Sequence, residues 1–216
     1  MTSDQNGLRA SGAWLAAGSL LLALALMFHG PLHPDLEVQM THIGESPGRW
    51  TAVHWAAAAA CTSFAISAVL MLVSRSRLTG TRASMSAWAV ILVGALWTLM
   101  TAVTEVTVIA DLAAAEDLVQ FRPWWSFAQG FGNGFSMLAL AAAVIAWREY
   151  LAPERLVPAW SAAAGAGAGV ASFGGWALGV WLGIGPANLV WLVASGAMCA
   201  WLAWLGLALA GTPPAR

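Results

Sequence analysis

Four histidines, His29, His33, His42 and His54, lie between residues 29 and 54, and the chain has no others. Imidazole ligates metals and moves protons near neutral pH, so this cluster is the first place to look for chemistry. Two of the four belong to a repeated Met-x-His pattern, Met27-Phe28-His29 and Met40-Thr41-His42, with His33 between them. Thioether and imidazole together suit copper, Cu(I) above all, and Asp35, Glu37 and Glu45 in the same stretch would attract a cation. A copper or zinc site built from Met27, His29, His33, Met40 and His42 is therefore one expectation. Haem is another, because it needs one or two neutral imidazoles over an apolar slot, and His29 with His54 could supply them.

A second set of residues carries polar chemistry inside apolar sequence. Glu105 lies about five residues short of the end of a hydrophobic stretch, roughly 8 Å below its interface by helical rise. An ionisable group at that depth is a functional hypothesis by default. Gly94, Thr98, Thr101 and Glu105 follow the 3.6-residue period as one polar stripe, and Ser126, Gln129, Asn133 and Ser136 form a second. Gln129 and His54 fall at a depth similar to that of Glu105. Three segments thus offer an imidazole, a carboxyl and an amide in one layer. One reading is a buried hydrogen-bond network that fixes helix register. The other is a cavity in which His54 binds or shuttles while Glu105 accepts its other ring proton, as carboxylates do behind ligating histidines.

The elements that must hold these residues follow from composition. Of the 216 residues 60% are hydrophobic and only 9% charged, with a mean hydropathy of +0.73, whereas a soluble domain carries about 25% charge. So little charge cannot cover a water-soluble globule, and lipid contact has to replace it. Six stretches, near 12–29, 51–73, 84–110, 123–147, 156–183 and 187–211, approach or exceed the roughly 20 residues that cross a hydrocarbon core. Each must be a helix, since lipid offers no partner to the backbone. Pro31, Pro34, Pro47, Pro123, Pro153, Pro158 and Pro186 punctuate the connections. The chain leaves its first apolar stretch through His29-Gly30-Pro31-Leu32-His33-Pro34, without small residues at a cleavage site, so that stretch reads as an uncleaved span.

All nine basic residues are Arg. With the N-terminus inside, Arg9, Arg75, Arg77, Arg82, Arg148, Arg155 and Arg216 are cytoplasmic and only Arg49 and Arg122 are outside, which is the bias that orients membrane proteins. The expectation is an all-α, polytopic bundle of six transmembrane helices in a bacterial cytoplasmic membrane, with both termini cytoplasmic and the histidines at the outer face. Trp14, Trp50, Trp55, Trp88, Trp124, Trp125, Trp147, Trp160 and Trp191 read as interfacial anchors, and Trp97, Trp176 and Trp201 as interior fillers. Gly165, Gly169, Gly175, Gly179 and Gly183 mark a close helix crossing in the fifth span, and Gly130 and Gly134 one in the fourth. Cys61 and Cys199 sit at similar depth inside apolar runs and read as small core residues.

Other chemistries lack their residues. A formal net charge of -1 gives no basic excess for phosphates, which argues against nucleic acid. Gly130-Phe131-Gly132-Asn133-Gly134 follows no strand and reads as a packing face instead of a phosphate loop, and no nucleophile or zincin motif occurs. The first three spans do not repeat in the last three. The six-helix cytochrome b561 type spreads its haem histidines over central helices, while spans three to six here have none, so a two-haem path across the membrane is not available. In His33-Pro34, Arg49-Trp50 through His54-Trp55 and Thr104-Glu105-Val106-Thr107 the chain resembles uncharacterised six-helix integral membrane proteins of high-GC bacteria, a resemblance that implies no activity. The function expected is a small binding protein or accessory subunit holding a metal, haem or quinone-like ligand on His54, Glu105, Gln129 and His29. The competing classes are a structural partner in a membrane complex or homo-oligomer, and a proton-coupled solute carrier.

Overall fold

The structure, a computed structural model, describes residues 3–74 and 76–211, so Arg75 and Arg216 lie outside the described residues. The elements are α1 (Ser3–His29), α2 (Leu36–Gly44), α3 (Pro47–Val73), a 3-10 turn (Arg77–Thr79), α4 (Arg82–Thr104), a π-helical segment (Glu105–Ile109) leading into α5 (Ala110–Ala114), α6 (Leu118–Leu151), α7 (Ala159–Trp176) with its own π segment (Ala177–Trp181), and α8 (Gly185–Ala210). Six of the resulting helices, Gln5–His29, Pro47–Val73, Arg82–Ala114, Leu118–Leu151, Ala159–Trp181 and Gly185–Ala210, are long and apolar enough to cross a membrane. The chain is all-helical among the described residues and is a multi-pass membrane protein by length and composition.

The spans pack as a closed ring. Each touches its neighbour in sequence, α1 on α3, α3 on α4, α4 on α6, α6 on α7 and α7 on α8, and the ring closes by α8 against α1. Closure is visible at atomic level, where Arg9 Nε donates to the Ala210 carbonyl at 3.1 Å, so both ends of the described chain lie at one end of the bundle. Arg77, Arg82, Arg148 and Arg155 belong to that end, and the histidine-bearing connection to the other. Small residues let the backbones approach. A Cβ on Gly94 would stand 2.7 Å from the Gly134 carbonyl oxygen, and one on Gly134 2.5 Å from that of Gly94. Gly12 and Gly206 meet in the same way between α1 and α8. Hydroxyl pairs add polar glue, Ser11 with Ser67 at 3.1 Å and Ser172 with Ser195 at 2.8 Å.

Several expectations need correction. Pro123 does not begin the fourth span. The helix starts five residues earlier at Leu118, with the Asp117 side chain accepting from the Gln120 N–H at 3.0 Å, and Pro123 sits inside it. A proline so near the start removes a bond only to the carbonyl of Val119, an exposed residue. The connection between the first two spans is not a plain loop but contains α2, capped by Asp35 Oδ1 accepting from Glu37 and Val38 N–H. Gly130 and Gly183 have no neighbour within 4 Å where a Cβ would go; Gly183 instead turns the chain at φ +68. Trp50, Trp88 and Trp191 are buried, not interfacial, while Trp97 is exposed on the outside of the ring and does not fill it. Cys61 and Cys199 are buried and unbonded.

Candidate functional site

The histidine end of the ring is where its polar residues converge. α1 ends at His29, because Gly30 adopts φ +75 and Pro31 follows. The His29 ring turns inward, with Nδ1 donating to the Gly30 carbonyl at 2.7 Å. His54, one turn past Trp50 on α3, donates from Nδ1 to the Trp50 carbonyl at 2.9 Å. A carbonyl can only accept, so a neutral ring in either place carries its proton on Nδ1 and presents Nε2 as an acceptor. Neither Nε2 has a hydrogen-bond partner among the described residues. The two ring centroids are 5.1 Å apart, and Trp50 lies against both, at 5.0 Å from His29 and 4.4 Å from His54.

Glu105 is 2% exposed and does not bond to His54. Its Oε2 accepts from Trp50 Nε1 at 3.0 Å, and Oε1 is left without a protein partner. Trp50 is therefore the bridge that links the two residues, through its indole to Glu105 and its carbonyl to His54. The helix carrying Glu105 opens into π geometry at that residue, and the Ala110 N–H reaches back five residues to the Glu105 carbonyl. Insertions of this kind break the regular period, often at functional positions. Thr101, one turn earlier, donates to the Ala128 carbonyl on α6 at 2.8 Å and fixes the facing wall.

These groups surround a cavity of about 80 Å³. All six spans contribute: Leu22, Leu26 and His29 from α1, Val53, His54 and Ala57 from α3, Thr98, Thr101 and Glu105 along the α4 helix, Gln129, Gly132 and Phe135 from α6, Trp176 from α7 and Trp191 from α8. No Arg lines it. Aromatic rings continue around the wall, with Trp191 at 6.0 Å from His29, 5.3 Å from Trp176 and 5.7 Å from Phe135. Asn133 Oδ1 accepts from Trp176 Nε1 at 3.0 Å and from Trp181 Nε1 at 2.7 Å, which sets the tilt of the α7 indoles. Gln129 Oε1 and Trp191 Nε1 are buried without partners. A second space of about 250 Å³ lies at the histidine end, walled by His33, Trp125, Ser126, Gly179 and Asn188, and it shares Leu32 and Gln129 with the cavity. Asn188 Nδ2 holds the Leu32 carbonyl at 3.1 Å, so Leu32 stands between the two spaces.

Of the residues expected from sequence, His29, His54, Glu105 and Gln129 come together. The Met-x-His set does not. Residues two apart on a helix point about 200° apart, so Met40 is buried against Ile43, Trp50, Ile109 and Phe121 while His42 faces out. Met27 likewise points away from His29 and is 76% exposed on the ring's outer surface. His33 is exposed, its Nδ1 accepting from the Asp35 N–H at 3.1 Å. Among the described residues no three His, Cys, Asp or Glu side chains are grouped to hold a metal ion. Sequence reasoning missed Trp50, Trp176 and Trp191 as members of the site. Trp50 and Trp191 stand at span ends like the lipid-anchoring tryptophans, and only their one-turn spacing from His54 and from Ser195 hints at an inward face.

Neither a family model, nor a curated protein, nor a solved structure matches the chain.

Proposed function

We propose that this protein is a small-ligand-binding protein of a bacterial cytoplasmic membrane, with its termini inside and its central cavity reached from the outer face. The observation that carries the reading is the cavity itself. It lies at the axis of a six-span ring and has mostly apolar walls. Two imidazole nitrogens, one carboxyl oxygen, the Gln129 amide oxygen and the Trp191 N–H on those walls lack protein partners. Ligand sites are built this way, as apolar concavities with a few polar groups that fix orientation. A network serving only to set helix register would satisfy its own members, because unpaired polar groups in an apolar bundle are costly. Access through the space beside Leu32, and the excess of Arg at the opposite end, support an outward entrance.

Size narrows the ligand. An apolar cavity of about 150 Å³ accommodates benzene, so about 80 Å³ suits a molecule of a few heavy atoms. A quinone ring or a porphyrin would require the ring of helices to spread. The accessory-subunit reading draws on a different feature, the open groove between α7 and α8 lined by Gly167, Ala168, Ala171, Val193, Ala194 and Ala197, where small residues would admit another helix.

The test is a titration of the protein in lipid nanodiscs with three small polar probes, formamide, methanol and methylammonium chloride, read by tryptophan fluorescence. At least one should saturate with the native chain and none with Ala57→Leu, which fills the cavity. Failure of all three to saturate overturns the reading.

A further inference from the structure

Four unpartnered atoms on the cavity wall can accept hydrogen bonds, beside one buried donor, the Trp191 N–H. His29 Nε2 and His54 Nε2 are left as acceptors because each Nδ1 is committed to a backbone carbonyl, Gln129 Oε1 is a third acceptor, and Glu105 Oε1 accepts when the carboxyl is ionised. Among the described residues Glu105 is also the only acidic side chain on the wall, and the two imidazoles apart no basic one lines it. Arg49, the basic residue nearest in sequence to His54, is exposed and lies outside the cavity. The carboxyl's sole protein contact is the neutral indole of Trp50, which leaves a buried acid with no counter-charge from the protein. The remaining wall is aliphatic, from Leu22, Leu26, Val53 and Ala57, and aromatic, from Trp176, Trp191 and Phe135.

We propose that the cavity's ligand is a small monocation that donates N–H bonds, the ammonium ion or methylammonium. This rests on the ligand-site reading above and specifies the ligand's class. Such a cation supplies donors to these acceptors, supplies the counter-charge that an ionised Glu105 lacks, and gains from the aromatic rings of the wall. Hard metal cations fit less well, because they select shells of six or more oxygen ligands, and two of the four free acceptors here are nitrogens. The Trp191 N–H, which is buried without an acceptor, contributes nothing to this recognition; Trp191 acts through its ring. The size agrees, since methylammonium has two heavy atoms and the cavity about 80 Å³.

The experiment compares methylammonium chloride with methanol, its neutral counterpart of the same heavy-atom count, and with potassium chloride at equal ionic strength. Thermal shift and tryptophan fluorescence are read on the full chain in nanodiscs. Methylammonium should stabilise saturably, with neither control doing so at the same concentration. Glu105→Gln keeps an acceptor for Trp50 and should weaken methylammonium binding at least tenfold. Should that variant not fold, the wild-type comparison of the three probes decides by itself. Equal saturation by methanol, or unchanged methylammonium affinity in Glu105→Gln, overturns the cation and leaves a neutral-ligand site standing. A response to potassium equal to that to methylammonium also overturns it, and no saturation by methanol, methylammonium or formamide overturns both readings.

Discussion

The indole of Trp50 donates to the carboxyl of Glu105 at 3.0 Å and so ties α3 to the π segment that follows α4. The same residue's carbonyl holds the His54 ring in its tautomer. Coupling between these residues should follow that path. In a double-mutant cycle, Trp50→Phe with Glu105→Leu should show an interaction of about 1–3 kcal/mol, measured by equilibrium unfolding in detergent. His54→Leu with Glu105→Leu should show a smaller one. A larger interaction for the His54 pair would mean that the carboxyl and the imidazole are in direct contact.

Gly94 and Gly134 meet backbone to backbone between α4 and α6. Gly134→Ala must push those helices apart and should cost about 1–3 kcal/mol, as overpacking does. Gly130→Ala, four residues away on the same helix and open where the methyl would go, should be neutral or stabilising by up to about 1 kcal/mol. Thermal unfolding of the two variants side by side checks the pair. Equal losses would show that the α4–α6 crossing lies elsewhere.

At the opposite end Arg77 grips Glu149 with two bonds, at 2.8 and 3.0 Å, and Glu149 also accepts from the Leu156 N–H. The Glu149 side chain is fully buried while that of Arg77 is 37% exposed. Arg77→Ala strands a buried carboxylate and should cost about 3–5 kcal/mol. Glu149→Gln, which leaves an acceptor for Leu156 and an exposed Arg, should cost less. The order of the two midpoints in a denaturant titration at neutral pH is the readout, and the reverse order would contradict the lock.

Both ends of the described chain sit at the Arg-rich end of the ring, which the proposed orientation makes cytoplasmic. A reporter active only outside the cytoplasm should give signal when fused after Asp117 and none when fused after Arg216. Signal at Arg216 alone would invert the bundle and place the cavity's entrance inside.

The sequence by itself determined the class of this protein, since six apolar runs with 9% charge leave only helices in lipid. It also determined the layer in which His54, Glu105 and Gln129 meet, because depth along a span is a matter of counting at 1.5 Å per residue. The helical angle between Met40 and His42 and the one-turn spacing of Trp50 from His54 are also legible along the chain. Which way a helix faces around the ring was decided only by tertiary structure, because hydrophobic periodicity fades when both lipid and core are apolar. Trp97 and Trp176 have the same sequence character, yet one is 43% exposed and the other 4%. The contact of α8 with α1 closes the ring, and the cavity exists only at the centre of that closure. A pairing between the two ends of a chain has no local signature, and here it rests on Gly12 and Gly206, two glycines among 22.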